Sequence, residues 1–321
     1  MNLCLIKFIF ISYKRKRIQS VREAFIQSGK LASMVKLSHP SKVLIRSIQL
    51  TKEELALYYS AVDVDLMRYS KGRPLSFKRY PDGYPGKGFF QRNRPAYAPS
   101  WIESAPLGLK KKADYILPTS IEVIQWLVNI DALEFHVAQT RRPHLMLPDM
   151  LVFDLDPPHR EDLALFEDFE RVRDLALEIK PIIEGYGYTP FVKTSGKKGV
   201  HLFCPLKSGF SYDEVFEAAH EIGEEIVGKL KNVTLKIAKE ARRDKILIDI
   251  YRNHTLQSMA MPYGLRATSY GTVSMPLDWS KLESTTSPKQ FTLRTVPEKL
   301  RSEGDAWEKL STNKVDLHTS K

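Results

Sequence analysis

Cysteine is scarce: the 321-residue chain has two, Cys4 and Cys204. That excludes a disulfide framework as the source of stability and makes a reducing interior the default. Cys204 lies in the apolar run GVHLFCPL and reads as a buried small hydrophobe. No group of cysteines and histidines has zinc spacing. Long apolar runs are missing too. LCLIKFIFIS, near the N-terminus, has about ten residues and contains Lys7, so it is too short for a bilayer. The basic cluster Lys14–Arg17 follows that run, the reverse of a secretory signal. No membrane association is expected. The leader over residues 1–36 has three open readings: an extra strand, an arm on DNA, or an artefact of start-codon choice. Repeats and low-complexity linkers are also absent.

Basic residues are in excess. Lys and Arg number 49 against 38 Asp and Glu, a net charge of +11. A polyanionic partner follows, most commonly nucleic acid, with a merely solubilising charge as the alternative. An apolar fraction of 43% is ordinary for a globular protein, and the length suits one large domain or two modest ones.

The element pattern predicts an α/β chain. Thr51 and Glu54 form a capping box that opens one helix over TKEELALYYSAVDVDLMRY. PDG marks a turn between two short strands within 71–100. SIEVIQWLVNI reads as a helix with Ile121, Ile124, Leu127 and Val128 facing inward. Strands are expected near 132–138 and 150–156, and a long helix from Glu161 to about Gly185. The strand TPFVKTS, the turn SGKKG and the strand VHLFCPL follow, then a helix over about 212–231 and a strand over 245–251. The polar tail after about 286 is expected to be helical around PEKLRSEGDAWEKL.

Three aspartates carry the chemistry. Asp154 and Asp156 lie in LVFDLDPPH, and Asp249 lies in KILIDIYRNH. Both runs look like buried strands. Residues i and i+2 of a strand share a face, so Asp154 and Asp156 point the same way. Two like charges buried a few ångströms apart are costly unless cations neutralise them. A divalent pair is the usual compensation, and three carboxylates suffice to hold two ions at a phosphoryl-transfer site.

Basic groups surround this motif in sequence. KTSGKKGVH offers the Ser195 hydroxyl, the Lys198 charge, the His201 ring and turn N–H groups suited to phosphate oxygens. Alone, it reads more simply as a basic hairpin tip; beside a DxD strand the triphosphate reading takes precedence. Arg252 and Arg266 are candidate phosphate clamps, or else arginines paired with carboxylates. FKRYPDGYPGKGFFQRNRP interleaves basic and aromatic residues, as strands that stack bases do. Phe89 and Phe90 must face opposite sides of a strand, so at most one belongs to a core and the other is exposed. The alternative buries both. His136, in LEFHVAQT, is a lone histidine of the kind that is more often structural.

In the order GRPLSFKRYPDG, FFQ, EFHV, VFDLDP, TSGKKGVH, IDIYRN, YGLRA, VSMPLDW, these segments resemble the polymerase domain of ligase D. That family belongs to the archaeo-eukaryotic primase superfamily and serves non-homologous end joining. The resemblance runs from about His39 to about Leu282. It implies largely antiparallel central sheets flanked by helices, an RRM-like catalytic subdomain and an N-terminal αβ section. The corresponding division is a leader over 1–36, a catalytic domain over 37–285, and a tail over 286–321 that is packed on the domain or partly disordered. It implies two divalent cations, Mn²⁺ or Mg²⁺, at Asp154, Asp156 and Asp249. Ser195, Lys198, His201, Arg252, Arg266 and His136 match nucleotide contacts, and the substrate is a nucleoside triphosphate. Phe89 or Phe90 matches an aromatic that stacks on the template, and Arg242 a basic residue near the primer end. Lys42 and Lys52 match a pocket for the 5′-phosphate of the downstream strand, with His39 where the family has asparagine. Ribonucleotide preference, gap filling at broken ends and a cytoplasmic, nucleoid-associated location are also implied. No KxDG ligase motif occurs, so the chain is expected to be free-standing or a fragment. An ATP-dependent ligase and Ku would then be separate partners.

Three other functions share parts of this signature. A de novo primase uses the same acids, although replicative small subunits commonly carry a zinc module. A metal-dependent nuclease also uses carboxylate pairs. A non-catalytic end-binding module would use the basic surface alone.

Overall fold

In the computed structural model, residues 35–108, 112–158, 166–238, 242 and 244–317 are described. Two six-stranded sheets organise them. The first runs, in spatial order, Val233–Thr234, Ile246–Asp249, Met150–Asp156, Val200–Pro205, Phe191–Thr194, Pro276–Leu277. Every neighbour is antiparallel except the first pair, which is parallel. The second runs Ser258–Ala260, Ala132–Ala138, Leu75–Arg79, Ala113–Ile116, Ser104–Leu107, with Phe89–Gln91 added beside Leu75–Arg79. All its pairs are antiparallel.

Met150–Asp156 is central to the first sheet, and its residues from Met150 to Leu155 are all buried. The helices Phe169–Gly185 and Tyr212–Lys229 pack on this sheet, which explains the near-continuous apolar run. The second helix is opened by a capping box between Ser211 and Glu214. The start of the expected long helix at Glu161, with Leu165, lies outside the described residues. Phe169, Val172, Leu175 and Ile179 are buried at helical spacing. The leader up to residue 34, Cys4 included, also lies outside the described residues.

Most elements lie where the pattern places them. Thr51 caps Lys52–Ala61 with the expected box, and Ile121–Asn129 buries Ile121, Ile124, Leu127 and Val128. The single helix expected over Thr51–Tyr69 is two. It breaks at Val62, and Asp63–Ser70 starts with Asp63 and Asp65 in its first turn. Aspartate favours the positive end of a helix over its interior, so the sequence supplies a second start there. The C-terminal helix spans Val296–Glu303 and stops at Gly304, whose φ is +78°. Beyond it Trp307 is 1% exposed, and its Nε1 donates to the Val192 carbonyl at 2.8 Å. Cys204 is fully buried with a free thiol that burial pushes up. Among the described residues, no helix is long and apolar enough to cross a membrane.

Candidate metal and nucleotide site

The site starts from strand register. Asp249 pairs with Asp154, Asp154 with His201, and His201 with Lys193 across four adjacent strands. Directly opposed residues share a sheet face, so four ionisable side chains form one row. Asp156, two residues beyond Asp154, projects on the same face. Oxygens of Asp154, Asp156 and Asp249 all lie within 4.8 Å of one another. Asp154 and Asp249 are each 7% exposed.

Cationic groups answer this charge. Arg252 Nε donates to Asp154 Oδ2 at 3.2 Å and lies 3.0 Å from Asp249 Oδ2. His201 Nε2 is 3.2 Å from Asp154 Oδ1, and the Tyr251 amide donates to Asp249 Oδ1 at 3.0 Å. Arg242 Nη2 stands 4.0 Å from Asp156 Oδ2. Burial opposes ionisation of Asp154, but His201 and Arg252 outweigh it and hold the carboxyl well below the usual range. Asp156 has weaker support. Burial, then the neighbouring Asp154, pushes it up to about 7. Burial also raises Asp249. A carboxylate cluster that still takes up a proton near neutrality has negative charge to spare. Oxygen donors at this spacing with spare charge are what a divalent cation requires, so the residues fit the implied metals.

The turn SGKKG packs tightly against this row. A Cβ at Gly199 would come 2.3 Å from the Leu155 carbonyl oxygen, and one at Gly196 would meet Arg266 Cγ at 2.6 Å. Gly196 also has φ +73°. Two of the turn's amides are not presented to a phosphate. Lys197 and Gly199 N–H groups donate inward to Ser195 Oγ at 3.1 and 3.0 Å. A serine at the start of a tight turn captures the nearest free amides. Lys198 is partly exposed, and among the described residues no carboxylate lies within ion-pair reach of it.

Arg266 is buried. Its Nη1 donates to the Ser195 carbonyl at 2.5 Å, and its Nη2 is 3.7 Å from Glu134 Oε2. Glu134 is the hub of a second cluster. It lies 2.6 Å from Lys197 Nζ and 3.5 Å from His136 Nε2, and accepts from the Ala267 amide at 2.9 Å. Burial opposes its charge; Arg266, His136 and Lys197 overcome that and keep it ionised. His136 is held down to about 4, first by burial. Its ring meets the edge of Phe90 at 5.4 Å.

Phe89 and Phe90 are 45% and 59% exposed, so neither joins a core. Their strand is an addition to the sheet, paired to Leu75–Arg79. Arg79 lies over the Phe89 ring and Lys78 over the Phe90 ring, each at 5.5 Å. Elsewhere, Lys42 and Lys52 converge on one carboxylate, Asp131, at 2.6 and 3.0 Å. Lys52 is 2% exposed and also donates to the Asn129 carbonyl at 2.6 Å. His39 is exposed, and its carbonyl accepts from the Lys42 amide at 2.9 Å.

Sequence reasoning missed Lys193, Glu134 and Asp131. The first two had a signal. Lys193 is a lone charge in an apolar strand, and Glu134 shares the strand face of His136 by its i, i+2 spacing.

Known proteins match this arrangement. The family model described as LigD, primase-polymerase domain, matches residues 51–307. The bifunctional non-homologous end joining protein LigD of Bacillus subtilis is 31% identical over 270 residues, covering 82% of this chain and 42% of the relative. The multifunctional protein of that name from Pseudomonas aeruginosa is 29% identical, covering 88% of this chain and 33% of the relative. The chain therefore spans about a third to two fifths of the length of these relatives. A solved structure, the polymerase domain from Mycobacterium tuberculosis ligase D in complex with DNA, superposes with a TM-score of 0.78 at 26% identity, covering 88% of this chain and 99% of that one. With the mixed α/β fold and antiparallel sheets of that structure, and a family match over most of its length, the chain belongs to the LigD primase-polymerase domain family.

Proposed function

We propose that this chain is a template-directed nucleotidyltransferase that extends DNA 3′ ends at gaps and double-strand breaks in non-homologous end joining, with a preference for ribonucleotides. The observation that supports it most is the grouping of Asp154, Asp156 and Asp249 oxygens within 4.8 Å of one another. Bound there, Mn²⁺ or Mg²⁺ ions would supply Lewis-acid stabilisation of charge on the transferring phosphoryl group. Burial and the neighbouring Asp154 raise the Asp156 carboxyl to about 7, and with Asp154 and Asp249 it would hold the cations. Arg252 screens Asp154 and Asp249 and, with Arg266, Lys198, Ser195, His201 and His136, positions the triphosphate. The Ser195 hydroxyl accepts from the turn, so it keeps its own proton for a phosphate oxygen.

The exposed rings of Phe89 and Phe90 offer faces for template bases. Lys42 and Lys52, with His39 beside them, receive a 5′-phosphate, and Asp131 is the counter-ion that the phosphate would replace. Arg242 lies toward the primer end. The proposed partners are DNA with 5′-phosphorylated gaps or broken ends, an ATP-dependent DNA ligase and Ku, and the proposed location is cytoplasmic and nucleoid-associated. The end-joining names of the relatives support that setting.

The test is nucleotide incorporation on a 5′-phosphorylated gapped duplex, with Mn²⁺ against Mg²⁺ and ribo- against deoxynucleotides. Primer extension that favours ribonucleotides is expected. No extension with either metal, or degradation of DNA without added nucleotide, rejects the reading. Equal product on unprimed single strands moves it to primase.

A further inference from the structure

One lysine lies wholly buried beside the acidic site. Lys193, on the strand Phe191–Thr194, has no solvent exposure. Its Nζ is 2.5 Å from Ser274 Oγ and 2.8 Å from His201 Nδ1, and it stands 5.6 Å from the centre of the Phe203 ring. Counting protons assigns the roles. Ser274 Oγ gives its proton to the Thr194 carbonyl at 2.9 Å, so toward Lys193 it accepts. His201 Nε2 faces Asp154 Oδ1 at 3.2 Å. An ionised carboxylate only accepts, so the ring proton belongs on Nε2. His201 Nδ1 is left as an acceptor, and Lys193 is the donor beside it.

These contacts lie along one line of the sheet, because Asp154, His201 and Lys193 are successive register partners. Burying a lysine is costly, and here burial pushes its pKa well below the ordinary value; an apolar side chain of similar length would fill the space. A lysine that served only to tie its strand to Ser274 would leave His201 Nδ1 without a donor, and the Nε2–H tautomer would rest on Asp154 alone.

We infer that Lys193 is a positioning residue: it fixes the His201 tautomer, which pins Asp154 Oδ1 and leaves Oδ2 toward the cation site. This rests on the reading of Asp154 as a metal ligand. Oδ2 is the oxygen that Arg252 reaches at 3.2 Å, on the side facing Asp249. Hydrogen bonds of this outer kind typically change metal affinity or activity by about 10- to 100-fold when removed.

The test uses the full chain with Mn²⁺ as the probe. Imidazole ¹⁵N shifts of His201 and Mn²⁺ affinity are measured in the wild type and in Lys193→Met; affinity is also measured in His201→Asn and in the double variant. In Lys193→Met the Nδ1 signal is expected to move and Mn²⁺ affinity to fall by about 10- to 100-fold. The double variant should bind no more weakly than His201→Asn, because Lys193 acts through that ring. An unmoved Nδ1 signal, an unchanged affinity, or losses that multiply in the double variant would each overturn the inference. Should Lys193→Met not fold, Ser274→Ala frees one side of Lys193 and should shift Nδ1 with a smaller loss of affinity; no shift overturns the inference equally. Failure of the metal reading is separate. Wild-type protein that binds no Mn²⁺ rejects that reading, while the ¹⁵N response of His201 still decides whether Lys193 sets the tautomer.

Discussion

The aspartate site and the lysine pocket are charge-reversed versions of one design. In the first, Arg252 joins Asp154 and Asp249 while Arg242 stands by Asp156; in the second, two lysines gather around an aspartate. Each cluster of like charge is held by side chains of opposite charge. They differ in how the backbone sets the spacing. Asp154 and Asp249 are opposed residues of hydrogen-bonded strands, so their separation is fixed by the ladder. Lys42 and Lys52 flank the end of a short antiparallel pair, with Val43 opposite Thr51, and the Lys52 N–H reaches the Lys42 carbonyl at 2.9 Å. Rigid spacing suits cations that need shared ligands. A pair at the end of a two-stranded ladder suits a phosphate, which accepts donors from many directions.

The comparison breaks most visibly at the acids. Asp154→Ala should lower nucleotide incorporation by about 10³-fold or more, since charge stabilisation is usually the dominant catalytic term, while DNA binding persists in a mobility-shift assay. Full retained activity would remove the metal assignment. Next in size is the countercharge beneath the nucleotide turn. Glu134→Gln strips Arg266, Lys197 and His136 of their shared partner and should cost about 3 kcal/mol of stability, as breaking a buried ion pair does. Denaturant unfolding measures it, and a change below about 1 kcal/mol, the scale of a surface pair, would show that Glu134 is not the hub.

The lysine pocket should give a smaller and more selective effect. Lys42→Ala with Lys52→Ala should weaken binding to 5′-phosphorylated gaps by roughly tenfold, about one charge-assisted hydrogen bond, and leave binding to gaps lacking the phosphate nearly unchanged. Equal loss on both duplexes counts against the pocket. The subtlest effect is in pH. Asp156 has a folded-state pKa raised to about 7 against an ordinary value of 3.8. A raised folded pKa means stability present below about pH 4 and lost as pH climbs through 7. Metal-free Asp156→Asn should therefore match the wild type in Tm near pH 4 and exceed it above pH 7. A constant difference across that range would show that Asp156 does not carry the spare charge.

Legibility followed the range of the interaction. The capping box at Thr51, the buried face of Ile121–Asn129 and the shared face of Asp154 and Asp156 depend on neighbours two to four residues apart. Each could be read along the chain. The break at Val62 was legible in principle, since Asp63 and Asp65 mark a second start. Phe89 and Phe90 were not. Whether a strand is covered depends on what the sheet adds beside it, and here the rings meet only side chains such as Arg79 and Lys78 and stay exposed.

By itself, then, the amino-acid order determined the acidic pair, the basic and aromatic segments around it, and the α/β character of the chain. The tertiary structure alone decided which charges meet. Asp249 joins Asp154 across the sheet, Lys193 reaches His201, Glu134 collects Arg266, Lys197 and His136, and Asp131 bridges two lysines. The reason is physical. Intrastrand geometry repeats every two residues and can be counted, whereas cross-strand register and the burial of an ion pair arise only when distant segments share one core.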